Sequence, residues 1–446
     1  MTEAGFPDDV IDGSPSPPDA PIARHLLPLT AERDASGRLS VGGVDLLGIA
    51  EEVGTPVFVY DEEHIRVRCR EAMAAFGPGV AYATKAFLCK AMARLAHEEG
   101  LSLDVSAGGE LAVALAAGVP PGELVMHGSN KSAGEIRAAV DAGVGRLVVD
   151  SFDEIDRLLD IVRVEGPSSR RRISVLVRVS PGVEAHTHEY VMTGQEDSKF
   201  GFGLDSGAAH EAVERLRAID GVDVIGVHAH IGSQIFRVDS FAREAAALAP
   251  FAAELGLAEM CIGGGLGVAY LNNEVAPSIV DWATTVRSAC ATAGLPSQIR
   301  VTAEPGRAIV ATAGITLYRV GTIKEIPGIR RYVSVDGGMS DNPRPVLYGS
   351  GYEAFLPRRT SAPRPLRARI VGKHCESGDI VVEDAYLPSD LVVGDILATP
   401  VTGAYGLSMA SNYNRVGRPP AVFVAEGRAR VVVRRETIED LLRLED

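Results

Sequence analysis

A lysine ends a strand-like apolar run, Gly79-Val80-Ala81-Tyr82-Ala83-Thr84-Lys85. A lysine held at a strand end and stripped of water becomes a nucleophilic amine. Further along come His228-Ala229-His230-Ile231-Gly232-Ser233-Gln234, then Gly263-Gly264-Gly265-Leu266-Gly267, then Glu304-Pro305-Gly306-Arg307. Residues two apart on a strand point the same way, so His228 and His230 share a side. Two such histidines could ligate a metal. No third ligand stands at a tight spacing, however, and Gly232-Ser233 reads as a phosphate-type turn. A neutral imidazole stacked on a planar ring is therefore preferred, with no metal.

The glycine run can bring backbone N–H groups close to an anion, and a helix N-terminus behind it would add its dipole. A dinucleotide fingerprint counted from Gly263 requires glycine at position 268, where Val268 stands, so a single phosphate fits and a dinucleotide does not. A carboxylate at Glu304 can keep a pyridine nitrogen protonated and make the ring an electron sink. Arg307 can grip a phosphate or carboxylate through two parallel hydrogen bonds. Taken singly, these features are a surface lysine, a tight turn and a Glu–Arg pair. Taken together, they are the parts that hold pyridoxal phosphate.

Positioning them takes a repeating scaffold. Apolar runs occur at 79–84, 101–105, 123–127, 146–150, 173–180, 223–230, 259–263 and 299–303. Stretches of helical periodicity follow most of them, at 87–98, 109–118, 132–143, 152–163, 207–219, 238–255 and 277–293. Continuous apolar strands alternating with amphipathic helices mean a parallel sheet covered on both faces. The strand ends deliver Lys85, Asp104, His127, Asp150, Arg178, His230, Gly263 and Glu304. A (β/α)8 barrel brings all of these to one face, whereas a doubly wound open sheet scatters them along a crevice. The barrel is the expected fold, on this pattern together with the resemblance below.

After residue 311 the pattern changes to Val- and Ile-rich runs separated by Gly, Pro, Asp and Ser turns. These predict an antiparallel β-sandwich or barrel. Strand-like pieces at 38–41 and 56–60 are expected to complete it from the N-terminal side. The class is α/β plus all-β. Its parts are a disordered tail at 1–20, an N-terminal segment at 21–60, a barrel at 61–311 and a C-terminal β domain at 312–446.

The net charge of -15 argues against nucleic acid or an anionic membrane as partner. No apolar run approaches the ~20 residues that span a bilayer, and no secretory signal is evident. Five cysteines without a CxxC pair fit a reducing cytoplasm. Three polar segments stand in the β region: Ser340-Asp341-Asn342-Pro343-Arg344-Pro345 with Tyr348, His374-Cys375-Glu376-Ser377-Gly378-Asp379, and Gly403-Ala404-Tyr405. Arg344 and Tyr348 would suit a carboxylate and Glu376 an ammonium. By spacing alone each segment also reads as an ordinary loop.

With these residues in place, the chain resembles the fold-type III pyridoxal-phosphate decarboxylases, and within them the diaminopimelate branch. The matching stretches run in order along nearly the whole chain. HTHEYVMTG (186–194), SDNPRP (340–345) and KHCESGD (373–379) are specific to that branch. The resemblance implies decarboxylation of meso-2,6-diaminopimelate to L-lysine and CO2. It implies that Lys85 binds the cofactor covalently and that His230 stacks on its ring. Ser233, Gly265, Gly306 and Arg307 would hold the phosphate, and Glu304 would meet the ring nitrogen. Asp104, Arg178, Gly263, Gly264 and Tyr405 are further candidate cofactor contacts. Arg307, Arg344, Tyr348, Glu376 and Tyr405 would hold the substrate. Cys375 would lie near the reacting carbon, with Cys375 and Glu376 supplied by the second subunit of a homodimer. Departures at Ser106-Ala107 and Gly406-Leu407-Ser408-Met409 touch no candidate catalytic residue. The competing readings are an ornithine, arginine or carboxynorspermidine decarboxylase, a racemase, and a non-catalytic pyridoxal-phosphate carrier.

Overall fold

The computed structural model describes residues 21–165, 172–183 and 198–446. The tail at 1–20 and the HTHEYVMTG stretch lie outside these residues. Parallel strands form at Ala81–Ala83, Ser102–Val105, Leu124–Met126, Arg146–Val149, Ile173–Ser180, Val222–His228, Glu259–Cys261 and Arg300–Thr302, and they pair in chain order. Closure comes from Ala81 and Ala83, whose amides donate to the carbonyls of Ala303 (3.0 Å) and Pro305 (3.2 Å). The sheet is therefore a barrel. Helices follow where the periodicity placed them, from Lys90–Glu98 to Ile279–Thr292. Two of them start at capping boxes, Ser132 with Glu135 and Ser278 with Asp281.

Strand alternation stacks the barrel interior in layers. Ala81, Val125, Val148, Leu176 and Cys261 form an apolar middle layer. Two residues toward the strands' N-terminal ends stand Arg146 and Glu259. Two residues toward their C-terminal ends stand Ala83, His127, Asp150, Arg178 and Gly263. The same period of two thus places charge at both ends of one apolar plug.

The second domain is a sheet ordered Ile380–Leu387, Leu366–Val371, Arg330–Val335, Gly314–Ile326, Val57–Asp61, Ala421–Ala425 and Arg428–Val433, with Ile396–Pro400 also on Gly314–Ile326. Val57–Asp61 sits centrally in it, so N-terminal residues complete the domain as expected for 56–60; the 38–41 piece does not join, because Leu39–Val41 pairs instead with Glu32–Arg33 and Val44–Asp45 in a separate three-stranded sheet. Most pairings are antiparallel. Two are parallel: Arg330–Val335 with Leu366–Val371, and Val57–Asp61 with Ala421–Ala425. The first pair is joined through the long connection 336–365, which is the crossover a parallel pair requires. That connection carries Arg344, Tyr348 and Tyr352. Among the described residues no helix is long and apolar enough to cross a membrane.

Candidate active site

A cavity of about 750 Å³ opens at the C-terminal ends of the barrel strands. Lys85, Asp104, Arg178, His230, Ser233, Gly264, Gly265, Glu304, Gly306, Arg307, Tyr348 and Tyr405 all line it. Lys85 lies in a 3₁₀ turn, Thr84–Ala86, directly after the first barrel strand, and its side chain is exposed at the mouth. The chain itself therefore does not desolvate Lys85, contrary to the expectation from its strand-end position. The turn is held from the β domain, because the Tyr405 amide and the Ser408 hydroxyl both donate to the Ala86 carbonyl at 2.8 Å. Tyr405 adopts φ +61°, a left-handed conformation in a non-glycine residue at the mouth.

At the centre of the floor is Glu304. Its two carboxylate oxygens take one histidine each, His127 Nε2 at 2.8 Å and His228 Nε2 at 2.9 Å. Burial opposes its charge, but the two histidines outweigh burial and hold the carboxyl well below the usual carboxylate range. These three side chains have the make-up of a metal-binding group. His228 Nε2 is hydrogen-bonded to Glu304 and His127 Nε2 stands at ion-pair distance from it, an arrangement that keeps Glu304 ionised and aimed. Asp104 behaves oppositely, since burial raises its carboxyl to about 6 while His127 pulls it down.

His230 accepts the Gly264 amide at Nδ1 (3.2 Å). Burial, with Lys85 and Arg178 adding to it, pushes its pKa far below the ordinary histidine value, which favours the neutral ring. Gly263 does not line the cavity. It backs His230, where an added Cβ would fall 2.9 Å from the ring nitrogen and 2.4 Å from the Ala229 carbonyl. Nor does a helix stand behind the glycine run, because the next one begins at Ile279. The short turn of helix Arg307–Val310 starts at the cavity, at Gly306.

Behind the wall lies a buried ion pair. The Lys131 ammonium meets Glu154 at 2.9 Å and donates to the carbonyls of Gly128 and Val148, both at 2.7 Å. The Glu154 carboxylate accepts the amides of Lys131 and Asp150. Asp150 in turn binds Arg178 at 3.1 Å, and the Arg178 guanidinium lies 4.3 Å over the Phe200 ring. The loops carrying His127 and Arg178 are thus tied together from behind.

Arg344 is not in this cavity but in an adjoining one of about 480 Å³, which shares Ser233, Arg307, Tyr348 and Tyr405 with the first. There Arg344 donates to the Tyr352 hydroxyl at 2.5 Å and lies 4.3 Å over the Tyr270 ring. Arg307 donates to the Tyr270 hydroxyl (2.6 Å) and to Ser233 Oγ (2.9 Å). Sequence reasoning assigned no role to Tyr270 or Tyr352. Both are aromatic residues in irregular segments without periodicity; Tyr270 ends the matching stretch Gly263–Tyr270, but nothing in that stretch singles out its side chain.

Cys375 and Glu376 line neither cavity. They stand exposed in a turn between two β-domain strands, with Glu376 accepting from the Tyr413 hydroxyl. The turn is rigidly mounted. His374 is buried and bonds Ser340 Oγ at 2.8 Å, and Asp379 accepts the amides of His374 and Met339.

The donor set fits pyridoxal phosphate. It combines an amine, an ionised carboxylate, a neutral imidazole and a guanidinium whose buried Arg307 Nε has no hydrogen-bond partner among the described residues, leaving capacity for an oxyanion. The comparisons agree. The model of the pyridoxal-dependent decarboxylase family, pyridoxal binding domain, matches residues 62–311. The chain is 49% identical over 444 residues to the diaminopimelate decarboxylase of Mycobacterium tuberculosis, covering 95% of this chain and 98% of that one. It is 44% identical to that of Bacillus subtilis, covering 93% and 97%. The crystal structure of diaminopimelate decarboxylase from M. jannaschii in co-complex with L-lysine superposes with TM-score 0.84 at 32% identity, covering 93% and 96%. The chain belongs to the diaminopimelate decarboxylases, within the pyridoxal-dependent decarboxylase family. It is a carboxy-lyase, and its cofactor is pyridoxal phosphate.

Proposed function

We propose that the barrel mouth removes one carboxyl group of meso-2,6-diaminopimelate as CO2, leaving L-lysine, and that the site is completed by a second copy of the chain. The observation that supports this most directly is the pairing of two cavities. One carries Lys85, His230 and Glu304, and the next carries Arg344, which makes no ion pair among the described residues; Glu274 lines the same cavity, its carboxylate accepting the amides of Tyr270 and Leu271. A substrate with a reacting end and a second carboxylate fills both.

In this reading Lys85 is the amine that would hold the cofactor through its aldehyde. His230 would stack on the ring, and Ser233, Gly265, Gly306 and Arg307 would hold the phosphate. Asp104, Arg178, Gly264 and Tyr405 line the remaining wall. When bound, the cofactor's protonated pyridine draws in the electron pair left by CO2. Glu304, kept ionised by His127 and His228, holds that nitrogen's proton in place. Arg344 and Tyr348 orient the distal carboxylate. Lys85 or Cys375 returns a proton to the carbon that lost CO2.

Glu376 and Cys375 have no role within one chain, yet their turn is braced by buried bonds. That combination supports delivery to a partner's mouth across a homodimer. The free state of all five cysteines supports a cytoplasmic setting. The test is complementation. Lys85→Ala and Glu376→Ala chains are each expected to be nearly inactive. Subunit exchange should restore activity approaching roughly a quarter of wild type, from half the dimers with one intact site each. Mixed dimers proven by mass spectrometry but without activity would refute the shared site. CO2 release from ornithine rather than meso-diaminopimelate would refute the substrate.

A further inference from the structure

We infer that Tyr270 is a specificity-determining positioning residue, holding Arg307 and Arg344 in one fixed arrangement that selects for a distal carboxylate. The inference rests on the diaminopimelate reading above.

Tyr270 follows the glycine run and is 4% exposed. Its two ends serve different guanidiniums. The hydroxyl accepts from Arg307 Nη1 at 2.6 Å, and the ring face lies 4.3 Å from Arg344 Cζ. Tyr352 packs edge-on against it at 5.2 Å and accepts the hydrogen bond that Arg344 donates. Among the described residues, the hydrogen bonds of both guanidiniums end on neutral hydroxyls: Tyr270 and Ser233 for Arg307, Tyr352 for Arg344.

Arg344 is itself only 4% exposed. A cation so buried without a carboxylate is costly unless something else offsets it. Here the phenol oxygens and the Tyr270 π-face do so in part. They leave the full positive charge available to an anion entering the cavity. A Glu or Asp in place of Tyr270 would neutralise that charge, and an aliphatic residue would leave Arg344 without its platform. Tyr270 therefore keeps the two cations apart: Arg307 faces Ser233 and the first cavity, and Arg344 faces the second.

The chemistry of the ligands supplies the test. L-lysine keeps the carboxylate at the carbon that does not react, whereas cadaverine lacks it and is otherwise the same chain. Inhibition by each is measured on the holoenzyme, beside turnover of meso-diaminopimelate. Tyr270→Leu is expected to raise KM for meso-diaminopimelate and the inhibition constant of L-lysine on the order of tenfold. The cadaverine constant should stay within about twofold, since no charge-assisted contact is lost.

Tyr270→Phe retains the platform but frees Arg307. It should weaken pyridoxal phosphate binding to the apo-protein, followed by absorbance, while leaving lysine inhibition nearly unchanged. If Tyr270→Leu fails to fold, Tyr352→Phe, which removes only the hydroxyl on Arg344, supports the same lysine–cadaverine comparison. A rise confined to the carboxylate-bearing ligands supports the inference. Equal shifts for lysine and cadaverine, or none, overturn it. Failure of the wild-type enzyme to release CO2 from meso-diaminopimelate would instead remove the substrate reading beneath it.

Discussion

The two ends of the barrel carry charge at equivalent strand positions and use it in opposite ways. At the N-terminal end, Glu259 pairs with Arg146 at 3.2 Å, pairs also with Arg300, and accepts from Thr302 Oγ1. Cations and carboxylate there satisfy one another and close the end. At the C-terminal end, Glu304 is shared by two histidines, while Lys85, Arg307 and Arg344 make no ion pair with a carboxylate among the described residues. Both ends stand on the same apolar layer, so burial alone does not separate them. The difference lies in pairing: a saturated cluster contributes to holding the barrel closed, and an unsaturated one is left with capacity for a ligand. Functional charge is thus recognised by what its partners leave undone.

Four experiments would break or sharpen this contrast. The largest effect is expected from Lys85→Ala, which should abolish CO2 release while the melting temperature stays near wild type, because an exposed side chain at the mouth packs against nothing. Measurable turnover close to wild type would remove Lys85 from the chemistry.

Glu259→Ala at the opposite end should do the reverse. Leaving Arg146 unpaired should cost about 3 kcal/mol of stability by denaturant titration, with kcat changed little at a temperature where the variant is folded. A collapse of kcat in folded protein would show that the two ends are not independent.

Glu304→Gln should keep the cofactor bound and slow turnover on the order of 10²-fold, as for loss of one preorganised charged group. Single-turnover decarboxylation at wild-type rate would contradict its place beneath the ring nitrogen.

The smallest effect concerns Asp104. Its folded-state pKa is raised to about 6 by burial, above the unfolded value near 4. The native state then binds more protons than the unfolded one between about pH 4 and pH 6. Its contribution to stability is full below that window and is lost as pH rises through it. Asp104→Asn apo-protein should therefore gain roughly 2–3 kcal/mol relative to wild type between pH 4 and pH 7. A wild-type-minus-variant difference independent of pH would show that Asp104 does not titrate there.

Much of the barrel was legible because its signals are local and periodic. Each apolar run falls on an observed strand, and the polar residue closing most of these runs lines the cavity. Lys85, Asp104, Arg178, His230 and Glu304 could be named because alternation along a strand fixes direction, and a barrel gathers strand ends. Gly263 misled for the same reason. It closes a run like the others, but its role is to clear space behind His230. The parallel pairing of Leu366–Val371 was also hidden, since strand propensity says nothing about which neighbour a long connection reaches.

What the sequence determined by itself is the set of parts: where strands stop, which side chains they present, and that a phosphate, a planar ring and a carboxylate-bearing substrate suit them. Only the tertiary structure decided which charges are already neutralised. It joined Glu304 to His127 and His228, set Tyr270 between Arg307 and Arg344, left Lys85 exposed, and turned Cys375 and Glu376 away from their own chain's cavities. The physical reason is that pairing and desolvation depend on distances between residues far apart in the chain, which no spacing along it encodes.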